Sequence, residues 1–199
     1  MPSMSVIEQG FCRSAPWRGF ARRVILPWAL HGLEPQGELL ELGAGSGAMA
    51  DGTARTFPDL QLTVTDIDPA MVAAARKHLS ARPNVRVERA DVTDLPFADS
   101  SFEVVTSYLM LHHVVEWRRA LSEASRVLRP GGVFVGYDLA KTRLATLIHV
   151  ADRSPYRLIA RHEIRPALVD AGLQDVHIRR ALGGHVVQFT ARKSEKSEG

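Results

Sequence analysis

The 199-residue chain is 45% hydrophobic and 24% charged, which is the profile of a globular protein and excludes a disordered or low-complexity chain. Its apolar runs are too short to span a membrane, and its N-terminus lacks the pattern of a secretory signal, so no membrane insertion is expected. The single cysteine, Cys12, cannot form a disulfide within the chain, and we therefore expect a reducing, cytoplasmic location.

The formal net charge of +3 is distributed unevenly. Residues 1–30 carry four arginines against one glutamate, residues 31–140 carry ten basic and fifteen acidic side chains, and residues 141–199 carry eleven basic and six acidic side chains. The chain thus has two basic ends around an acidic middle. This distribution favours a small anionic or electron-rich partner, although solvated arginines on exposed faces would explain the same charges.

Short apolar runs alternate with helical patterns along the chain. The patterns predict strands at 37–42, 61–66 and 85–90, from Phe102 and from Val133, and helices at 48–57, 69–80 and 116–128. Strands that alternate with helices across short turns predict a parallel sheet covered on both faces. A short helix at 162–173 follows, and segments 175–182 and 185–192, joined at Gly183 and Gly184, predict a closing antiparallel hairpin.

The turn after the first predicted strand reads GAGSGAMADG and is rich in glycine. Such a turn lets backbone N–H groups approach a ligand closely. Gly43, Gly45 and Ala48 fit the dinucleotide pattern G-x-G-x-x-[GA], and the run with Gly47 also fits G-x-G-x-G. Glu41, just before the loop, would repel a pyrophosphate in a partly desolvated cleft. S-adenosyl-L-methionine (SAM), which carries an ammonium and a sulfonium but no phosphate, suits this position better.

Two more acidic residues follow the next predicted strands. Asp66 ends the second strand about twenty residues after the loop, where nucleotide-binding proteins place a carboxylate for the ribose hydroxyls. Asp91 and Val92 follow the third strand, where a carboxylate can accept from the adenine amine while an apolar side chain covers a ring face. All these residues lie at carboxyl ends of adjacent strands, which is where open α/β sheets bind ligands.

Taken together, the segments ELGAGSG, VTDIDPAMV, ADVTDLPF, SFEVVTSYLMLHHV and RVLRPGGVFV resemble class I SAM-dependent methyltransferases. Within that class the chain is similar to the group that contains the ubiquinone and menaquinone C-methyltransferases. The resemblance implies a Rossmann-like, doubly wound α/β sheet of seven strands, mostly parallel, with a C-terminal antiparallel hairpin. It also implies SAM as the cofactor, with Glu41, Gly43, Ala44, Gly45 and Gly47 at the methionine moiety, Asp66 and Ile67 at the ribose, Asp91 and Val92 at the adenine, and Ser107 beside the methionine end.

Candidates for proton transfer follow the fourth predicted strand, in SYLMLHHVVEW. Methyl transfer from a sulfonium needs a general base only if the acceptor must lose a proton. Tyr108, His112 and His113 are expected near the methyl group, and a histidine with a pKa near about 6.5 suits proton removal at neutral pH. Adjacent histidines cannot both face one direction, so we expect at most one to point into the site, and structural or rim roles stay open. No metal site is predicted.

These patterns predict a single SAM-binding methyltransferase domain over residues 1–193, followed by a disordered tail at 194–199. Residues 1–30 are expected to form an N-terminal cap, and residues 139–161 an insertion on the substrate side of the cleft. The predicted function is transfer of the methyl group of SAM to a small-molecule acceptor.

Three alternatives remain. An RNA or protein methyltransferase is disfavoured because the basic stretches are short, no separate nucleic-acid-binding domain is visible, and SYLM replaces an Asn/Asp-Pro-Pro-aromatic motif. A non-catalytic SAM-binding regulator would carry the same binding motifs. An NAD-dependent oxidoreductase fits the VLRPGG segment and the terminal hairpin poorly.

Overall fold

The computed structural model describes residues 19–142 and 159–195. Seven strands are found there: β1 (Glu38–Leu42), β2 (Gln61–Asp66), β3 (Val85–Arg89), β4 (Phe102–Tyr108), β5 (Leu128–Leu139), β6 (Leu173–Ala181) and β7 (Val186–Lys193). The expectations for Cys12, for most of the N-terminal cap, for the middle of the 139–161 insertion and for the end of the tail lie outside the described residues.

The seven strands form one sheet in the order β3-β2-β1-β4-β5-β7-β6. Strands β1 to β5 pair in parallel, whereas β7 runs antiparallel to both of its neighbours, β5 and β6. The predicted sheet, mostly parallel with a C-terminal antiparallel hairpin, is therefore confirmed. The strand order reverses between β1 and β4, and ligands of open α/β sheets bind outside the carboxyl ends of the strands at such a point.

Helices cover both faces of the sheet. A π-helical turn at Ala21–Ile25 continues into α1 (Leu26–Leu30), and the longer helices are α2 (Ala48–Thr56), α3 (Pro69–Leu79), α4 (Trp117–Val127) and α5 (Arg161–Asp170). Helix α3 begins as its sequence predicts, because Asp68 Oδ1 accepts the Ala70 N–H at 2.8 Å and Pro69 is the first helical residue. Among the described helices, none combines the length and the apolar character that crossing a bilayer requires.

The alternation of side chains along the strands divides the core into two layers. Leu39, Val104 and Val135 pack with α1, α2 and α3 on one face, which we call the α1–α3 face. Leu40, Val105 and Phe134 pack with α4 and α5 on the other, the α4–α5 face. Because successive residues of a strand point to opposite faces, the same alternation places the polar residues near the strand ends. Glu41 and Tyr108 belong to the α1–α3 face, and Ser107 and Asp138 belong to the α4–α5 face.

One element begins earlier than its sequence predicts. Strand β5 was expected from Val133, after a turn formed by RPGG, but pairing with β4 already begins at Leu128, opposite Phe102. The register shifts before the pair Val104–Val133, so residues 129–132 bulge from the ladder. Gly131 has a φ of 76°, a conformation that glycine adopts without steric cost.

Candidate functional site

The glycine loop joins β1 to α2 at the carboxyl edge of the sheet. The Ala44 N–H donates to the Thr65 carbonyl of β2 at 2.9 Å, and the Gly47 N–H donates to the Ala44 carbonyl at 3.0 Å. The first bond ties the loop to the end of a neighbouring strand, and the second closes a tight turn. The loop therefore holds a fixed shape over the ends of β1 and β2.

Gly43 brings the glycine loop into contact with the segment that follows β4. Its φ is 62°, and a Cβ at this position would overlap Cγ of Met110. Gly45 has a similar φ of 56°, but a Cβ there would meet nothing within 4 Å. The predicted cofactor loop and the predicted proton-transfer segment are therefore neighbours, and Met110 is the side chain that joins them.

Glu41 is a buried carboxyl group with an unused acceptor. Its side chain is 1% exposed, and Oε2 has no hydrogen-bond partner among the described residues. Burial raises the pKa of Glu41 to about 8, while a hydrogen bond from the Ala50 backbone acts in the opposite direction. A cation placed beside this group would favour its ionised form and lower the pKa. The site thus fits a positively charged ligand, as the sulfonium and ammonium of SAM require.

Asp66 lies at the end of β2 and holds the glycine loop. Its Oδ2 accepts the Gly45 N–H at 2.8 Å, and its Oδ1 accepts the Asp68 N–H at 2.9 Å. Burial raises the pKa of Asp66, and these backbone amides oppose that shift. A carboxylate oxygen accepts about two hydrogen bonds, so both oxygens keep capacity for hydroxyl donors such as those of a ribose. Ile67 follows, partly buried, and its carbonyl accepts from Arg89 Nε at 3.0 Å.

The predicted adenine residues form a turn after β3. Asp91 Oδ1 accepts both the Thr93 N–H at 2.8 Å and the Thr93 hydroxyl at 2.7 Å, so one carboxylate oxygen stabilises the turn. Val92 is buried. The contact of these residues with an adenine stays a prediction, since a turn-forming role accounts for the bonds seen.

Ser107 lies near the end of β4 and has no accessible surface. Its Oγ has no hydrogen-bond partner among the described residues. Since it belongs to the α4–α5 face, Ser107 points away from the face that holds Glu41. The two predicted contacts of the methionine moiety therefore approach the edge of the sheet from opposite sides.

Of the three candidates for proton transfer, Tyr108 is separated from the two histidines in the structure. Tyr108 lies on the α1–α3 face, and burial together with the nearby Glu41 raises its pKa well above the usual value. His112 and His113 form a 3₁₀ turn after β4, with ring centroids 4.0 Å apart. His112 is 3% exposed, whereas His113 is partly buried. The sequence predicted Tyr108 and the histidines near the same methyl group. The alternation along β4 places Tyr108 on the α1–α3 face, whereas His112 contacts Asp138, which belongs to the α4–α5 face with Ser107.

Asp138 is the polar partner of His112, and sequence analysis did not identify it. Asp138 Oδ1 lies 2.5 Å from His112 Nδ1, and Oδ2 accepts the His112 backbone N–H at 3.3 Å. The Leu139 N–H also donates to Oδ1, at 2.6 Å. The sequence did contain one indication of this residue, because Asp138 lies near the end of the fifth predicted strand and therefore at the same edge as Asp66. Asp138 belongs to no recognised motif, however.

Two clefts lie away from this edge of the sheet. One, of about 450 Å³, lies between residues 34–37 and 56–60, and another, of about 390 Å³, is lined by residues of 61–63 and 83–86. Both flank the amino ends of β1, β2 and β3. The buried polar groups described above lie instead at the carboxyl ends of the strands, and these groups define the candidate site.

Comparison with known proteins indicates a methyltransferase domain in this part of the chain. A family model described as "Methyltransferase domain" matches residues 40–136. The matched segment runs from β1 into β5, so it includes the glycine loop, Asp66 and the 3₁₀ turn with His112. It ends two residues before Asp138.

The similar curated proteins act on different molecules. A demethylmenaquinone methyltransferase from Clavibacter sepedonicus is 37% identical over 60% of this chain and 45% of its own length. A malonyl-[acyl-carrier protein] O-methyltransferase from Geobacter sulfurreducens is 30% identical over 74% of this chain and 59% of its own length. The chain thus spans about half of the length of these relatives.

Among solved structures, the fold is similar to that of phosphoethanolamine N-methyltransferase 2 from Haemonchus contortus in complex with SAM. The TM-score is 0.72 at 16% identity, covering 89% of this chain and 60% of that chain. At this identity the similarity shows a shared fold alone.

Proposed function

We propose that the chain is a class I SAM-dependent methyltransferase and that it transfers the methyl group of SAM to a small-molecule acceptor. The observation that carries the proposal is the buried carboxyl group of Glu41, whose Oε2 has no partner among the described residues. It lies next to a glycine loop that is fastened to Asp66. A ligand with positive charge would lower the pKa of Glu41 and pair with its ionised form, whereas a pyrophosphate would raise that pKa further and offer the carboxylate no counter-charge.

Within this proposal the residues of the carboxyl edge bind the cofactor. Glu41 faces the positive charge, Asp66 accepts from the ribose hydroxyls, and the glycine loop lines the methionine moiety with its backbone. When bound, SAM supplies an activated methyl group whose leaving group is a neutral thioether. Ile67, Asp91, Val92 and Ser107 complete the proposed contacts. The protein then has to align the acceptor and exclude water.

We assign proton transfer to His112 among the three candidates. Its imidazole is held by Asp138 at the edge next to the glycine loop, and Met110 connects the two segments. Tyr108 suits the role of a proton acceptor poorly, because its raised pKa keeps the phenol protonated. His113 packs against the His112 ring and is assigned a supporting role.

The nature of the acceptor and the location of the protein are further parts of the proposal. The basic ends of the chain support an anionic or electron-rich small molecule. The single cysteine supports a cytoplasmic location.

Cofactor binding is tested with two neighbouring aspartates. Asp66→Asn should weaken the binding of S-adenosylhomocysteine about 10- to 100-fold in titration calorimetry, because bonds to a charged acceptor are lost. Asp68→Asn should leave the Kd within about twofold, because Asn also caps a helix well. Equal effects of the two substitutions would contradict the assigned ribose site, and stabilisation of the protein by NAD alone would contradict the cofactor.

Activity is tested by transfer of a labelled methyl group from SAM to a panel of small molecules, to RNA and to a protein extract. We expect small molecules to be labelled. Labelling of RNA or protein alone would replace the proposal with the corresponding alternative. Binding of SAM without labelling of any acceptor would favour a non-catalytic regulator.

A further inference from the structure

We propose that Asp138 is a positioning residue that holds His112 in the form needed to remove a proton from the acceptor. The inference rests on the proposed function and deepens it, because it defines the class of acceptor. Such an acceptor reaches the site with its proton attached, for example on a phenolic hydroxyl, and loses that proton during methyl transfer.

The contacts of Asp138 carry the argument. Both partners are buried, with 1% of Asp138 and 3% of His112 exposed. Two backbone groups, the His112 N–H and the Leu139 N–H, donate to the Asp138 carboxyl group, and His112 Nδ1 lies 2.5 Å from its Oδ1. The two backbone N–H groups already donate to its oxygens, and a carboxylate can only accept hydrogen bonds.

This arrangement determines the tautomer of the imidazole. Because the Asp138 carboxylate accepts, the hydrogen of neutral His112 must lie on Nδ1. Nε2 is then the nitrogen with a lone pair. The two bonds from Asp138, one to the ring and one to the backbone of the same residue, fix both the rotation of the ring and the position of its turn.

The position of the pair in the fold connects it to the reaction. Asp138 is the penultimate residue of β5, and His112 follows β4, which lies between β1 and β5 in the sheet. Both therefore lie at the carboxyl edge, as the glycine loop does. Met110, two residues before His112, occupies the space beside Gly43. The base and the cofactor loop are thus parts of one packed unit.

The proposed step balances as follows. The bond between the acceptor oxygen and its hydrogen breaks, and the proton goes to His112 Nε2. The oxygen lone pair forms the new bond to the methyl carbon, while the bond from that carbon to sulfur breaks and its electron pair stays on sulfur. Asp138 stabilises the resulting imidazolium, which later loses its proton to water.

An acceptor that is already ionised does not need a general base such as His112. Carboxylic acids have ordinary pKa values near about 4 and lose their proton before they bind, whereas phenols, with pKa values near about 10, do not. A buried His–Asp pair at the edge of the site therefore favours the second class. The rival explanation is that Asp138 only fastens the turn after β4, and the experiment must separate the two roles.

The first measurement uses the free protein and needs no acceptor. Long-range ¹H–¹⁵N spectra of the histidine rings, with His112→Gln for assignment, report which nitrogen carries the proton. We expect the Nδ1–H tautomer of His112 in the native protein and a change to the Nε2–H form in Asp138→Asn, because the amide N–H₂ group can donate to Nδ1. A native Nε2–H tautomer, or an unchanged spectrum in the variant, would overturn the proposal.

The second measurement follows methyl transfer from SAM to phenol and to 4-nitrophenol, which is largely ionised at about pH 8. Asp138→Asn should lower kcat for phenol by about 10²- to 10⁴-fold, the usual contribution of a general base, and lower it much less for 4-nitrophenol. The Kd of S-adenosylhomocysteine should stay within about twofold, since Asp138 is assigned no cofactor contact. Equal losses for both phenols, lost cofactor binding, or transfer to carboxylates only would overturn the inference. Methyl transfer to no acceptor at all would instead contradict the proposed function. The NMR measurement of the His112 tautomer would still test whether Asp138 positions His112.

Discussion

Two buried carboxyl groups at the same edge of the sheet differ in how well they are satisfied. Glu41 and Asp138 are both 1% exposed. Asp138 accepts two backbone hydrogen bonds and lies 2.5 Å from His112 Nδ1, whereas Oε2 of Glu41 has no hydrogen-bond partner among the described residues. The two carboxyl groups therefore differ in whether the protein itself supplies all of their hydrogen-bond partners. At the proposed cofactor side, around β1 and β2, Glu41 keeps an acceptor that a ligand can use, while at the proposed acceptor side, around β4 and β5, the protein itself supplies the partners of Asp138.

The largest expected effect comes from neutralising Glu41 in the protein without cofactor. Its pKa of about 8 in the folded state exceeds the ordinary value of 4.5, so between these pH values the folded state binds the proton and the unfolded state does not. The free energy of unfolding should therefore fall as the pH rises through this range and level off above about pH 8. Glu41→Gln should remove this slope, which corresponds to an order of 5 kcal/mol.

Urea unfolding between about pH 5 and pH 9 measures this difference. The variant should become the more stable protein at the alkaline end, because its amide cannot ionise in the core. Glu34→Gln, which changes an exposed carboxylate, should leave the slope in place. If the free energy of unfolding depends on pH in the same way in the native protein and in Glu41→Gln, burial does not disfavour the ionised form of Glu41. The contrast between Glu41 and Asp138 would then disappear.

The contact between the two sides is tested at Gly43. Gly43→Ala should cost about 2–5 kcal/mol, because it adds a strained positive φ and an overlap with Met110. It should also weaken the binding of S-adenosylhomocysteine, since the loop and the segment after β4 must move apart. Thermal unfolding and titration calorimetry measure both effects.

Gly45→Ala is the matched control for this contact. The two glycines have similar φ values, but the added methyl group of Gly45→Ala meets nothing within 4 Å. We expect only the conformational cost of about 1–2 kcal/mol. If both variants lose the same stability, the packing of Met110 against the loop does not couple the two sides.

The smallest effect is expected at Tyr108, on the face opposite to Asp138. Tyr108→Phe removes only the phenolic hydroxyl, so stability should change by no more than about 1 kcal/mol, and kcat should stay within about threefold. His112→Gln should lower kcat for phenol by about 10²-fold or more. Initial rates for the two variants compare the candidates directly. A large loss with Tyr108→Phe and none with His112→Gln would move proton transfer to the cofactor side.

The cofactor side could be predicted in detail because its signals are local in the sequence. The glycine loop, Asp66 and the helix cap at Asp68 each follow from short motifs, and the structure places them where strand ends were expected. Backbone geometry requires particular residue types at these positions, such as glycine at a positive φ. The same local logic explains why all five parallel strands were recognised.

The acceptor side was predicted only in part. The sequence showed two adjacent histidines but not which of them is buried, and it gave no reason to connect either with Asp138. That connection depends on β4 and β5 lying side by side and on the 3₁₀ turn that directs His112 towards β5. It also depends on the alternation along β4 and β5, which separates Tyr108 from Asp138.

The sequence by itself predicted the order of the strands and helices, the glycine-rich turn after β1 and the residues that we propose as contacts of SAM. The tertiary structure alone decided which carboxyl groups are satisfied and which histidine contacts Asp138. The physical reason is that a short motif reflects the residue types that the local backbone conformation requires. The state of a buried side chain depends on which distant groups the packed sheet places within hydrogen-bond distance.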